Sequence, residues 1–179
     1  MKLVLLYICL LHSSFAYRCV ICNDKHFTKQ KHKVERALKS NRQLPDKYGD
    51  TAFEVADCYR LNGDTTYITW YKKAIVLYKK SYVHYKRAED KSKVLNKTAY
   101  SCYYAQLYDE ALTNFKKCLA FCRADQTELN DYLFYCGDCQ LQLKQYADAL
   151  TTFTEYKTRN DSRHHVDELI EECQKNIMK

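Results

Sequence analysis

Residues 95–121 read LNKTAYSCYYAQLYDEALTNFKKCLAF, and residues 133–159 read LFYCGDCQLQLKQYADALTTFTEYKTR. Displaced by 38 positions, the first stretch falls on the second: Leu95 on Leu133, Ala99 on Gly137, Tyr108 on Tyr146, Ala111 on Ala149, Leu112 on Leu150 and Phe115 on Phe153. The coincident residues are apolar or small and recur three, four or seven apart, the spacing of one helix face. Two helix faces repeated in tandem at such a period are the signature of a helical solenoid, in which each helix pair covers the apolar face of the next.

The rest of the chain agrees. Its 179 residues suit one domain with a sizeable core. Pro occurs once and Gly three times, at Gly49, Gly63 and Gly137. So few breakers exclude a turn-rich β-sandwich and a glycine-rich phosphate loop, and no strand-length alternation of apolar and polar residues is present. The expected fold class is all-α, a helical-repeat solenoid.

Residues 25–41 suit one basic helix with a thin apolar stripe of Phe27, Val34, Ala37 and Leu38, after which Pro45 and Gly49 interrupt. Thr51 with Glu54 has the form of a capping box and predicts a helix through Phe53, Val55, Ala56, Tyr59 and Leu61. Asn62-Gly63-Asp64 predicts a turn, and a helix over 66–87 turns Trp70, Tyr71, Ala74, Ile75, Leu77 and Tyr78 inward. Further pairs are predicted over 92–106 with 108–121, and 127–143 with 146–156. Asn160-Asp161-Ser162 predicts a break. The last helix then sets Val166, Leu169, Ile170, Cys173 and Ile177 on one stripe with Asp167, Glu168, Glu171 and Glu172 opposite, the charged face that suits the end of a solenoid.

Lys2, the apolar run 3–11 and Ser14-Phe15-Ala16 have the pattern of a secretory leader, so the expected product is secreted or periplasmic after cleavage near Ala16. The apolar run is about half the ~20 residues that span a bilayer. Removal of 1–16 leaves nine cysteines, an odd number, so disulfides in an oxidising compartment would leave at least one thiol over. Charge is unevenly spread. Residues 17–48 hold nine Lys and Arg against three Asp and Glu, whereas 49–179 is neutral, with 72–97 basic and 98–179 acidic. The predicted organisation is a leader over 1–16, a basic segment with one helix over 17–48, three helix pairs over 49–158 and a capping helix over 159–179.

These pairs resemble the tetratricopeptide repeat. The third carries Leu133, Cys136, Gly137 and Gln140, then Ala149, Phe153 and Tyr156; the second carries Leu95, Thr98, Ala99 and Cys102, then Ala111, Phe115 and Cys118. The first is looser, with Ala52, Val55, Ala56 and Tyr59, then Tyr67, Tyr71 and Ala74. The spacing of 38 exceeds the family's 34 by about one helical turn, and it is 44 between Ala74 and Cys118. The resemblance implies a right-handed superhelix that binds protein or peptide on a concave surface lined by the first helix of each pair. Carried over, that surface comprises Phe53, Asp57, Arg60, Asn96, Tyr100, Tyr103, Tyr104, Phe134, Asp138 and Gln142. The basic set with which some members clamp a C-terminal carboxylate is not reproduced: Phe53, Asp57, Asp131 and Tyr135 stand at most of its positions, and only Lys97 is basic. An aromatic groove with acidic points favours apolar or basic segments.

Other motifs have plainer readings. Cys19-x2-Cys22, with His26 and His32, has a metal-knuckle outline, but a disulfide is the simpler outcome in a secreted chain. Cys136-x2-Cys139 and Cys118-x3-Cys122 share helix faces and suit packing or cross-linking better than metal or redox chemistry. His164-His165 suits a solvated site. Asn96-Lys97-Thr98 and Asn160-Asp161-Ser162 fit the glycosylation acceptor pattern. No Ser/His/Asp constellation, helical His-Glu-x-x-His or phosphate loop is present, so no catalytic residue, metal or cofactor is expected. The basic 25–47 helix suits an anionic membrane surface or an acidic partner, and a secreted location argues against nucleic acid. The expected function is therefore a non-enzymatic interaction scaffold. The alternatives are a self-associating structural component of the envelope, which a salt-insensitive monomer in sedimentation would exclude, and a cysteine-based metal or redox protein.

Overall fold

The computed structural model describes residues 25–40, 42, 44–121, 126–159 and 166–178. The expected leader, Cys19, Cys22, Cys122, the side chain of His26, and the motifs at Asn160 and at His164-His165 lie outside them. The described residues form helices without a strand. They fall into two compact units, Met1–Val83 and His84–Lys179.

In the first unit α1 (Lys25–Lys39), α2 (Lys47–Leu61) and α3 (Tyr67–Tyr82) pack on one another. Helix α1 inserts Phe27, Val34 and Ala37, all buried, so its thin stripe docks on the first pair. Lys31 lies over the Phe27 and Tyr59 rings and donates to the Tyr59 hydroxyl, and Lys73 on α3 pairs with Glu35. In the second unit α4 (Ala88–Tyr104), α5 (Tyr108–Phe121), α6 (Gln126–Gln142), α7 (Tyr146–Thr158) and α8 (Val166–Ile177) each pack on the next in the chain. Neighbour-on-neighbour stacking of helix pairs is the arrangement of a helical repeat.

The repeat extends to single backbone bonds. In the turn after α4, Gln106 N–H donates to Tyr103 O at 2.9 Å and Leu107 N–H to Cys102 O at 2.9 Å. Thirty-eight residues on, Lys144 N–H donates to Leu141 O at 2.9 Å and Gln145 N–H to Gln140 O at 2.8 Å. After α2, Gly63 and Asp64 make the same two bonds to Arg60 and Tyr59. All three are Schellman turns, which require a left-handed residue. That residue is Gly63 at φ 70°, but Gln106 and Lys144, both at φ 61°, serve in the other two. A side chain in this conformation costs about 1–2 kcal/mol, partly offset by the greater chain entropy that glycine loses on folding. Lys144 is exposed. Lys144→Gly is expected to raise stability by roughly 0.5–1 kcal/mol in urea denaturation; a loss of stability would show that the turn is not strained. The period itself resolves into a 17-residue α4, the turn 105–107, a 14-residue α5 and the connection 122–125 before α6.

Pairing within each unit depends on a small residue beneath a ring. A Cβ on Gly137 would come within 2.6 Å of the fully buried Phe153 ring. Gly49 on α2 lies as closely beneath Tyr78 of α3. Gly49 therefore sits inside a helix instead of interrupting one. Thr51 is likewise interior: α2 already begins at Lys47, and the Thr51 hydroxyl donates to Lys47 O at 2.9 Å, so no capping box forms with Glu54. Helix α3 stops at Tyr82, short of 87, where inward apolar residues run out and 82–84 are exposed. Helix α4 starts earlier than expected, at Ala88, where Glu89 and Asp90 complement its positive end and Arg87 pairs with Asp90 at 2.9 Å. Ile177, expected on the apolar stripe, lies exposed at its helix end, as does Leu61 at the end of α2. Helix α8 otherwise packs as expected, burying Val166 and Cys173 against Leu133, Ala149, Phe153 and Tyr156.

Candidate functional site

The ten residues expected to line a groove divide between the two units. Phe53, Asp57 and Arg60 belong to the first; Asn96, Tyr100, Tyr103, Tyr104, Phe134, Asp138 and Gln142 belong to the second.

On α2, Asp57 and Arg60 are engaged with each other and with the core. Asp57 Oδ1 accepts from Arg60 Nη2 at 3.0 Å and from the Tyr71 hydroxyl at 2.5 Å, and Arg60 Nε reaches the same hydroxyl at 3.0 Å. Burial pushes the Tyr71 phenol above its ordinary value, and its bond to Asp57 adds to the shift, so it stays a donor. Phe53 packs edge-on against the same ring at 5.1 Å. The trio thus ties the two helices of the first pair together.

The second unit gathers its residues into one aromatic cluster. From α4, the rings of Tyr100 and Tyr103 meet Tyr135 of α6 edge-on, with centroids 5.0 and 4.8 Å apart. Tyr104 packs against Tyr103 at 5.4 Å and shares a hydrogen bond with Tyr135. Behind them Phe115 of α5 stacks on Tyr135 at 5.4 Å with an interplanar angle of 12°. The Tyr103 hydroxyl donates to Asp138, and Gln142 Nε2 donates to its other oxygen at 3.4 Å. Tyr100, Tyr103, Tyr104 and Tyr135 are half-buried, so each covers core and still presents an edge to water.

The remaining two expected residues face differently. Phe134 packs inward on Phe153 and Tyr156, at 6.0 and 5.7 Å. Asn96 is half-buried, with its side-chain oxygen enclosed and lacking a hydrogen-bond partner among the described residues.

Tyr135 is the hub that the sequence expectation lacked. Position 135 had figured only as a place where a basic clamp was missing. A signal was available: Asp131, Tyr135 and Asp138 are four and three apart on α6 and so share a face.

Burial pushes the phenols of Tyr100, Tyr103 and Tyr135 upward. Tyr103 is raised further by its bond to Asp138, Tyr100 by the nearby Asp131 charge, and Tyr135 by Tyr104. The face therefore offers neutral phenol donors, ring edges and two carboxylates, a set that attracts cations.

The thiols are enclosed. Cys102, Cys118, Cys136, Cys139 and Cys173 are buried thiols; burial pushes Cys136 up to about 12 and Cys139 upward as well. A buried protonated thiol is a poor nucleophile. Among the described residues no three His, Cys, Asp or Glu side chains converge as metal ligands.

No protein-family model matches the chain, and no curated protein is detectably similar to it.

Proposed function

We propose that this protein is a non-enzymatic interaction scaffold of tetratricopeptide-repeat type that holds a basic segment of a partner protein. One observation carries the reading: Tyr135 joins the first helices of two consecutive pairs into a single aromatic face flanked by Asp131 and Asp138. A Lys or Arg side chain laid against such a face gains from ring and carboxylate together, about 0.5–2 kcal/mol per cation–ring contact according to its desolvation. The acidic character of 98–179 favours the same partner.

The leader pattern supports secretion or periplasmic export, with folding in an oxidising compartment. Sequestered thiols suit that location, because burial withholds them from exchange.

The test is a peptide array in which Lys and Arg are exchanged for Glu, followed by titration of the best binder. Tyr104→Ala combined with Asp138→Asn should weaken that binder roughly tenfold, equivalent to about 1.4 kcal/mol, with helical circular dichroism retained. Tyr100 is a poor choice for truncation, because its ring packs on Phe115 at 5.2 Å. Equal affinity of wild type and variant would place the site elsewhere.

A further inference from the structure

Basic residues in the first unit fall into two groups. Lys31, Lys73 and Lys80 are held by internal partners: Tyr59, Glu35, and the carbonyls of Leu38 and Ser40, to which Lys80 Nζ donates at 2.8 and 3.1 Å. Lys33, Arg36, Arg42 and Lys47 form no ion pair with any described residue; Arg36 Nε donates to His32 O at 3.4 Å, and Lys47 Nζ lies 5.6 Å from the centre of the Tyr48 ring. All four line one cleft of about 730 Å³ between α1 and the N-terminus of α2.

Among the described residues no Asp or Glu lines this cleft. The acidic residues nearest in sequence lie by other groups: Glu35 binds Lys73, Asp50 accepts from Tyr78 at 2.8 Å, and Asp46 also acts on Tyr78. The first turn of α2 opens on the cleft through Lys47 and Thr51, and Asp46 makes no side-chain capping bond there. Lys80 closes the C-terminal end of α1 through Leu38 O and Ser40 O, and Ser40 lines the cleft. Gln30 and Ser40 supply neutral hydrogen-bonding groups, and the volume lies within the usual range for small-molecule sites.

We propose that this cleft binds a compact polyanion carrying clustered phosphates, independently of the aromatic face on the second unit. Arg36 and Arg42 bring planar forks that match phosphate oxygens, and Lys33 and Lys47 act as flexible point charges. Four unpaired cations around one cleft favour several phosphates over a single monoanion. The phosphates can belong to a soluble ligand or to a lipid headgroup.

The full chain is titrated calorimetrically with sodium tripolyphosphate and with inositol hexakisphosphate. It is also sedimented with phosphatidylcholine vesicles with and without phosphatidylinositol 4,5-bisphosphate. Arg36→Gln with Arg42→Gln is compared with a charge-matched control, Lys72→Gln with Lys116→Gln; all four residues are exposed, so the fold is retained. The expected result is saturable one-to-one binding of at least one soluble probe, weakened at least tenfold in the cleft variant and less than twofold in the control. Vesicle binding that inositol hexakisphosphate displaces assigns the phosphates to a lipid, and soluble binding alone assigns them to a free ligand. Absence of saturable binding to the probes and vesicles, or equal losses in both variants, overturns the proposal.

Discussion

Phe153→Ala should destabilise the protein by about 3–5 kcal/mol, and Gly137→Ala should change sign when the two are combined. Phe153 is fully buried, lies over Gly137, and belongs to the core cluster that also receives α8. In the wild type, a methyl at position 137 gains about 1 kcal/mol of helix propensity but drives into the ring, which costs about 1–3 kcal/mol. Gly137→Ala alone should therefore be neutral to destabilising by up to about 2 kcal/mol. Once the ring is gone the clash disappears, and the same substitution should stabilise by about 1 kcal/mol. Urea denaturation of the four proteins closes the cycle. Additive effects would mean that the ring does not press on the glycine. In the middle pair Ala99 and Phe115, both fully buried, stand at the equivalent positions.

Alkaline titration should release the buried phenols and thiols together with the fold. Tyr71, Tyr78, Tyr100, Tyr103 and Tyr135 are all raised above the ordinary 10.0, foremost by burial, and Cys136 is raised from 9.0 to about 12. A raised value means that the folded chain holds protons the unfolded chain has lost. The stabilising contribution is complete below the unfolded values and declines as pH rises through the window above them, from 9 to about 12 for Cys136 and upward from 10 for the phenols. Tyrosinate absorbance from these buried phenols should rise in a cooperative step that coincides with loss of helical circular dichroism. One smooth titration of all tyrosines with helix intact would contradict their burial.

Much of the fold was legible because helix periodicity is local. The inward face of α3, from Trp70 to Tyr78, and the core positions of Cys118 and Cys136 all follow from spacing alone. Boundaries were less legible. At Thr51 a capping pattern was overridden, because the helix already begins at Lys47 and runs on through Gly49, which packs beneath the Tyr78 ring.

The candidate sites depended on information that spacing does not carry. That Tyr71, fourteen positions beyond Asp57, bonds to both Asp57 and Arg60 cannot be read from spacing. Tyr135 looks like a missing clamp residue until α4 brings Tyr100 and Tyr103 against it. The nine basic residues of 17–48 are equivalent in a charge count, yet packing engages Lys31 and leaves four others around one cleft. By itself the sequence determined the all-α class, the 38-residue period and the face that each helix buries, since each is set by residues within one or two turns. The tertiary structure decided which polar groups satisfy one another, since that depends on the rotation and axial offset of one helix against the next, at sequence separations that no period encodes.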